Sequence, residues 1–218
     1  MTLTASRSTL PAAATVTVTG VSGSLSHKFT TNLLVTPVLT NTVAVDLSSS
    51  YNVTGIYREG TKFAPEAGMD HGGYAFSEKL LGSEQVGDSV VFRIGPANVP
   101  DAVTGKTVTL PAGKFTSLKI LAVAVEGNQE MQVFTVNYAD GTPSSFTRSL
   151  SDWAAPANSR GESVATEMPY RVAADSSKDA GSVHANAYSF ALDSSKIVSS
   201  VNLPGNPNVL ILAATLVP

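Results

Sequence analysis

The stretch that decides the fold is MQVFTVNYADGTPSSFTRSL, residues 131–150. Phe134, Val136 and Tyr138 alternate with polar residues, the period of two that is typical of a strand with one buried face. A second β-prone run covers residues 144–150, and Asp140-Gly141 lies between the two runs. Because an Asp-Gly pair favours the tight turn that joins antiparallel strands, we predict a β-hairpin here.

Strand signals of the same kind recur along the rest of the chain. The runs are short, rich in β-branched and aromatic residues, and separated by Gly, Pro, Asn and Asp. The further predicted strands of the main domain are residues 42–47, 89–94, 106–110, 117–125, 162–168, 185–192, 197–203 and 208–217. Without helical periodicity between them, these strands predict an all-β fold, an antiparallel β-sandwich or jelly roll.

Two segments lack a strand pattern, and we predict that they are loops. They are residues 48–82, and residues 151–158 taken together with 171–183. Long loops in a compact domain commonly carry function, so we expect any binding site to lie in these segments.

The N-terminal residues predict a separate element. Residues 15–19 read TVTVT, a strict alternation, and turn-forming residues 20–24 precede a second run that ends before Pro37. This pattern predicts an N-terminal β-hairpin over residues 14–36. We therefore divide the chain into residues 1–37 and a jelly-roll β-sandwich of residues 38–218. An unpaired hairpin edge could also pair with a second copy of the chain.

The composition argues against several classes of function. The 218 residues carry a formal charge of -3 and only 14% are charged, with no Lys/Arg cluster for nucleic acid or for an anionic membrane surface. There is no cysteine, which excludes disulfides and thiolate metal sites. We expect neither nucleic acid nor membrane as a partner.

Several segments together resemble a known family. They are VAVDLSSSYNVTGIY (43–57), GMDHGGYAFSEKLLG (68–82), GPANVPDAV (95–103), SLSDWAAPAN (149–158), MPYR (168–171) and LPGNPNVLILAATLV (203–217). Over roughly residues 42–217 the chain resembles a β-sandwich domain of exported bacterial proteins that is attached to glycosidases, phosphoesterases and peptidases. That domain is similar to galactose-binding-like carbohydrate-binding modules, whereas residues 1–37 resemble the last strands of a bacterial immunoglobulin-like domain.

The resemblance implies a function and a location. It implies a non-catalytic carbohydrate-binding accessory module with a polysaccharide or glycan ligand and an attached catalytic domain as its partners. It also implies secretion, with the targeting segment outside this sequence, since MTLTASRSTL lacks the apolar core of a signal peptide. The family's loop usually reads Asp-Gly-Gly-Gly or Asp-Gly-Asp-Gly where this chain has Asp70-His71-Gly72-Gly73, so no role is carried over to His71.

Candidate ligand-binding residues combine aromatic rings with polar groups near the predicted loops. Rings stack on the apolar faces of sugars, while Asp and Arg pair with hydroxyls. The candidates are Tyr51, Tyr57, Asp70, Tyr74, Asp152, Trp153, Tyr170 and Arg171.

Three of these candidates also have a purely structural interpretation. Asp70 can accept backbone N–H bonds in a turn, with Gly72 and Gly73 at positive φ, or it can bind calcium, the one metal considered. Trp153 can fill the core at a strand end, and Tyr170 can clamp a loop.

Two other functions remain open at this point. A structural or adhesive spacer would bury its aromatic residues and bind no glycan. A small glycoside hydrolase would need two carboxylates, for which Asp152 and Glu162 are available. An esterase that uses His71-Gly72-Gly73 for its oxyanion would need a Gly-x-Ser-x-Gly elbow, which the sequence lacks.

Overall fold

The computed structural model describes residues 12–35 and 37–218. Contacts divide the chain into two compact units, Met1–Leu39 and Thr40–Pro218. The first unit contains an antiparallel hairpin of β1 (Ala12–Ser22) and β2 (Leu25–Val35), which confirms the predicted N-terminal hairpin. Gly23 turns the chain with φ 59°, a conformation that favours glycine. Residues 1–11 and 36 of the predicted first part lie outside the described residues.

The second unit is built on a sheet of seven strands. Its central strands are paired antiparallel, and the short edge pair of β4 and β5 is parallel. The order across the sheet is β3 (Val43–Ala44), β15 (Val209–Val217), β9 (Ser117–Ala124), β13 (Lys178–Ala191), β12 (Glu162–Ala173), β5 (Tyr74–Ser77) and β4 (Ile56–Tyr57).

A second sheet of four strands contains the hairpin predicted from residues 131–150. Its order is β11 (Pro143–Leu150), β10 (Gln129–Tyr138), β14 (Val198–Asn202) and β8 (Thr107–Thr109). Gly141 has φ 82°, and the Asp140 carboxylate accepts the Thr142 N–H at 2.9 Å. The Asp-Gly turn and its flanking strands are therefore confirmed.

The two sheets of the second unit enclose the main core. One face of β9 and β13 packs against the inner face of β10, through side chains that include Ile120, Phe190 and Phe134. The opposite face of the seven-stranded sheet is also buried, under the hairpin of β6 (Glu84–Gly87) and β7 (Val90–Arg93) and under loops. Because β9 and β15 are buried on both faces, they have nearly continuous apolar sequences. The fold is a β-sandwich, as predicted.

Two predicted loops turned out to contain strands. Residues 171–183 were predicted as a loop, but β12 continues to Ala173 and β13 begins at Lys178, with Arg171 opposite Asp179. The register shift between Met168 and Tyr170 places an irregularity between Ala180 and Val183 of β13, and it interrupts the period of two inside the missed segment.

The predicted loop of residues 48–82 is also only partly irregular. It contains β4 and β5, which at two and four residues are too short to show a period. It also contains α1 (Glu78–Leu81), whose first turn is capped by the Ser77 hydroxyl. In the part of the chain that the structure describes, no helix has the length and apolar character needed to span a membrane.

Candidate functional site

Four of the eight predicted ligand-binding residues meet around one guanidinium group. These four residues, which we call the arginine cluster, are Asp70, Tyr74, Trp153 and Arg171, and the guanidinium is that of Arg171. The other four contact different partners, and they are Tyr51, Tyr57, Asp152 and Tyr170.

Arg171 on β12 is the centre of the arginine cluster. Its Cζ lies 3.6 Å from the ring centroid of Tyr74 and 5.4 Å from that of Trp153. Its Nε donates to Asp179 Oδ2 at 2.8 Å, and its Nη1 is 3.6 Å from Asp70 Oδ2. The guanidinium therefore stacks on Tyr74 and occupies the ring face on which a sugar would otherwise stack.

The turn from Asp70 to Tyr74 explains the paired glycines. Asp70 Oδ1 accepts the Tyr74 N–H at 2.9 Å, which confirms the turn role predicted for this carboxylate. Gly73 has φ 73°, as predicted. Gly72 does not share that conformation, and the expected positive φ there was wrong. A Cβ at Gly72 would instead come within 2.8 Å of the Tyr74 ring, so close packing accounts for this glycine.

Asp70 connects the arginine cluster to a cleft. Only 9% of its side chain is exposed, and burial raises the pKa of the carboxyl above its usual value. The Tyr74 N–H and the Arg171 charge act in the opposite direction and favour the carboxylate. Asp70 thus contacts Tyr74 and Arg171 of the arginine cluster on one side and lines the cleft on the other.

Trp153 lies in the core. Its residue is 2% exposed, and its ring makes an edge-to-face contact with Phe76 at a centroid distance of 5.0 Å. Its backbone bridges two neighbouring segments, because its N–H donates to Ala124 O and its carbonyl accepts the His184 N–H. In this position the ring has no free face for a sugar, and ligand contact by Trp153 stays a prediction.

Asp152 clamps the loop that follows β11. Its carboxylate accepts backbone N–H groups from Gly127 at 2.8 Å, Ala154 at 2.8 Å and Ala155 at 3.0 Å. Its own N–H donates to Asn128 Oδ1. Both oxygens of the Asp152 carboxylate therefore have partners in the protein, and these bonds explain the position of the carboxylate without a ligand.

Glu162, the possible second carboxylate of a hydrolase, is similarly occupied. Its Oε1 accepts the Ser159 N–H at 2.7 Å, and Oε2 accepts the Tyr188 hydroxyl at 2.9 Å. The Ser151 hydroxyl donates to the same carboxylate. Burial, followed by the negative charge of Glu162, raises the pKa of Tyr188. The bonds hold the loop after β11 to the start of β12.

Tyr170 belongs to a polar group at the edge of the large sheet. Its hydroxyl donates to Glu59, which also accepts from the Ser77 hydroxyl and pairs with Lys178 at 3.0 Å. The Tyr170 hydroxyl is the main cause that lowers the pKa of Glu59 to about 2, with Ser77 and Lys178 adding to it. This arrangement is the loop clamp that was one interpretation of Tyr170.

The remaining two tyrosines pack against the protein. Tyr57 is 6% exposed, stacks on Phe63 at 3.8 Å and donates its hydroxyl to Ala67 O. Tyr51 is partly buried against the main core, and burial is the main cause of its raised pKa, followed by the charge of Asp101. Their contact with a ligand also stays a prediction.

Asp101 is a buried carboxyl group that the sequence analysis did not single out. Its residue has no exposed surface, and its oxygens accept the N–H groups of Gly55 at 2.9 Å and Ile56 at 3.0 Å. Burial raises its pKa to about 7, although the two N–H donors lower it. Asp101 therefore fixes the segment that runs from residues 52–54 into β4.

An open cleft of about 660 Å³ lies beside Asp70, and we call it the Asp70 cleft. Loops between strands form its walls, and its apolar part comes from Val53, Met69, Val125 and Leu210. The polar groups that line it are Asn52, Thr54, Glu66, Asp70, His71, Thr104, Glu126 and Asn208. It therefore combines an apolar floor with many hydrogen-bonding groups.

The Asp70 cleft is acidic. Of the residues that the structure describes, three carboxylates and one histidine line it, and no Lys or Arg does. Glu126 accepts the His71 N–H at 2.7 Å, which ties two walls together. The side chains of Glu66 and Asn208 make no hydrogen bond or ion pair within the described residues, so both can bond to a ligand.

Sequence reasoning found Asp70 but missed the other polar residues of the cleft. Glu126 lies two residues after the end of β9 and Asn208 directly precedes β15, two neighbouring antiparallel strands. The end of one strand and the start of its antiparallel neighbour lie at the same end of the sheet. The turn signals beside Glu126 and Asn208 could therefore have predicted that these two residues lie close together. Asn52 had no such signal, since its side chain mainly pairs with the backbone of Thr104.

Calcium at Asp70 has little support from side chains. Among the residues with described positions, no three His, Asp or Glu side chains are arranged to hold a metal ion. Calcium usually takes six to eight oxygen ligands, so an ion here would depend mainly on backbone carbonyls and water.

Comparison with known proteins identifies the domain type. No curated protein matches the chain. A family model does match, over residues 41–218, and agrees with the two packed sheets of the second unit. Attachment to exported glycosidases stays a prediction. Because the match covers most of the chain, the protein belongs to the AziU2-like β-sandwich domain family.

Proposed function

We propose that the β-sandwich binds a glycan in the Asp70 cleft and is a non-catalytic module. The observation that carries this proposal is the cleft itself, where open polar side chains surround an apolar floor. Sugar hydroxyls pair with carboxylates and amides, and sugar C–H groups pack on apolar side chains. The arrangement is that of a small polar ligand site, without a stacking ring.

The charge of the cleft selects among glycans. Asp70 is paired with Arg171, which does not line the cleft, and no described Lys or Arg of the cleft lining offsets the charges of Glu66 and Glu126. A glycan that carries carboxylate or sulfate groups would be repelled, whereas a neutral glycan can use the carboxylates as hydroxyl acceptors. We therefore propose a neutral glycan as the ligand. Affinity at one shallow site of this kind should be modest.

The occupied carboxylates support binding without catalysis. Asp152 and Glu162, the pair considered for hydrolysis, are saturated by N–H and O–H donors of the protein. A module of this kind would raise the local concentration of an attached catalytic domain on its polymer, in an exported parent protein.

A glycan array together with affinity gels would test the proposal. The gels contain a neutral β-glucan, a glucosamine polymer or a polygalacturonate, and each is run with and without a chelator. We expect retardation by the neutral polymer, weaker retardation for Glu66→Gln and Asn208→Ala, and no change for Glu130→Gln, which alters an exposed carboxylate outside the cleft. Absence of binding on the array and of retardation in the gels, or equal effects of all three variants, would reject the proposal. Loss of binding with chelator would add calcium to the site.

A structural or adhesive spacer is the second candidate, and the burial of Trp153 and Tyr57 favours it. In the hairpin, Val18 lies opposite Phe29 and both are exposed, which offers an apolar face for self-association. Sedimentation velocity of the whole chain would separate the two functions. Self-association that Phe29→Thr abolishes, together with silence on the glycan array, would support the spacer.

A further inference from the structure

A second cleft, of about 500 Å³, lies at the free edge of the four-stranded sheet. It is lined by Met131, Thr147, Arg148, Ser149, Arg160 and Gly161. Strand β11 is the outermost strand of that sheet, and Arg160-Gly161 comes from the turn just before β12. We call it the arginine cleft. It shares no lining residue with the Asp70 cleft.

The charge of the arginine cleft is positive and unbalanced. Of the five arginines in the described part of the chain, three pair with carboxylates: Arg58 with Glu78, Arg93 with Glu84 and Arg171 with Asp179. The remaining two, Arg148 and Arg160, both line this cleft, and no Asp or Glu with a described position does. Two cations that lack carboxylate partners therefore share one concave surface in a chain whose net charge is negative.

The acidic residue nearest in sequence does not neutralise these arginines. Glu162 directly follows Gly161, but its carboxylate is bound by Ser159 and Tyr188 and does not line the cleft. No salt bridge within the described residues joins it to either arginine.

Arg148 is held in place without a counter-ion. Its Nη1 donates to Thr147 O at 2.9 Å, its Nη2 donates to Ser189 O at 3.0 Å, and its Cζ lies 5.2 Å from the Phe190 ring centroid. Its Nε is buried and has no hydrogen-bond partner. Neutral carbonyls fix the guanidinium plane but leave its charge uncompensated, which is the preorganised state in which arginine binds oxyanions.

The other lining groups add donors. Arg160 is exposed and makes no hydrogen bond or ion pair within the described residues, so its whole guanidinium is open to a ligand. The Ser149 hydroxyl accepts the Met131 N–H at 3.3 Å, which leaves its own proton free to donate. A fixed arginine, an open arginine and a hydroxyl donor thus surround one cleft.

We propose that the arginine cleft is a binding site for an oxyanion, the carboxylate, sulfate or phosphate group of a ligand. Arg148 supplies a fixed cation, Arg160 closes on the anion from the opposite wall, and Ser149 donates a further hydrogen bond. The site is independent of the proposed glycan function, because the two clefts share no lining residue and the Asp70 cleft is acidic.

The test is an NMR titration of the ¹⁵N-labelled full chain. Sodium phosphate, sodium sulfate, sodium acetate and galacturonate oligomers are added separately, with sodium chloride holding the ionic strength constant. We expect saturable shifts of the Ser149 and Gly161 amides with at least one of these anions. The anion with the strongest binding identifies the source of the oxyanion.

Two variants decide whether the binding is local. Arg160→Gln should weaken binding by about fivefold or more, since it removes one of the two guanidinium groups. Arg93→Gln is the matched control, because it removes the same charge from an exposed arginine outside the cleft, and it should leave binding unchanged. Absence of saturable shifts with all four anions, or equal weakening by both variants, would overturn the proposal.

Discussion

The arginine cluster and the Asp70 cleft share Asp70 and yet differ in what they leave open. In the cluster, the rings of Tyr74 and Trp153 and the Arg171 charge are covered by protein partners. In the cleft, the side chains of Glu66 and Asn208 have no hydrogen-bond or ion-pair partner among the described residues. The comparison indicates that an aromatic residue beside a loop can be packed within the protein, so its position in the sequence alone does not identify a stacking face.

The largest expected effect comes from the cluster. Trp153→Ala removes a buried ring that packs on Phe76 and should lower the free energy of unfolding by about 3–5 kcal/mol. Urea denaturation measures this loss. Trp153→Phe, which retains most of the ring, serves as the control and should lose less. A Trp153→Ala chain that keeps its stability but no longer binds glycan would contradict the comparison.

Asp101 should show a smaller effect that depends on pH. Asp101→Asn replaces one of two accepting oxygens by a donor, leaves the N–H of Gly55 or Ile56 unpaired, and should cost about 2 kcal/mol at pH 5. In the wild-type chain the raised pKa means that the folded state keeps a proton that the unfolded chain has lost between about pH 4 and pH 7. The free energy of unfolding should therefore fall as the pH rises through that range.

Urea denaturation of both chains between pH 4 and pH 8 isolates this contribution. The lowered pKa of Glu59 and the raised pKa of Asp70 affect both chains alike, so their contributions cancel in the difference. The difference between wild type and Asp101→Asn should therefore shrink as the pH rises. A difference that stays constant from pH 4 to pH 8 would show that Asp101 is ionised throughout.

Arg171→Lys should have a still smaller effect. Lysine keeps the charge but loses the planar stack on Tyr74 and the fork that reaches both Asp179 and Asp70, so we expect a loss of about 1–2 kcal/mol. Thermal unfolding monitored by circular dichroism measures it. Arg58→Lys, at an exposed ion pair with Glu78, is the control and should be nearly neutral. Equal losses in both variants would remove the special role of the arginine cluster.

The smallest effect on stability belongs to the cleft. Asn208→Ala removes an amide that has no partner within residues 12–35 and 37–218, so the free energy of unfolding should change by less than about 0.5 kcal/mol while glycan affinity falls. Urea denaturation and affinity gels on the same preparation measure both quantities. A large loss of stability with unchanged binding would reverse the roles of cleft and cluster.

The sequence predicted those features that depend on local patterns. Alternation around Asp140-Gly141 and in residues 15–19 predicted two hairpins that the structure contains. The strand that follows Arg171 escaped prediction because bulges shift its register. Whether Trp153 is buried depends on Phe76 and other residues distant in sequence, and no local pattern encodes such a contact.

The most direct measurement uses the only tryptophan of the chain as a reporter. The ¹⁵N-labelled protein is titrated with the neutral glycan that scores highest on the array, while the Trp153 indole signal and fluorescence are followed together with the backbone amides. We predict saturable shifts at His71, Glu126 and Asn208, with the indole signal and the emission unchanged. Saturable quenching of Trp153 fluorescence, with no chemical-shift change at the amides of His71, Glu126 and Asn208, would contradict the account.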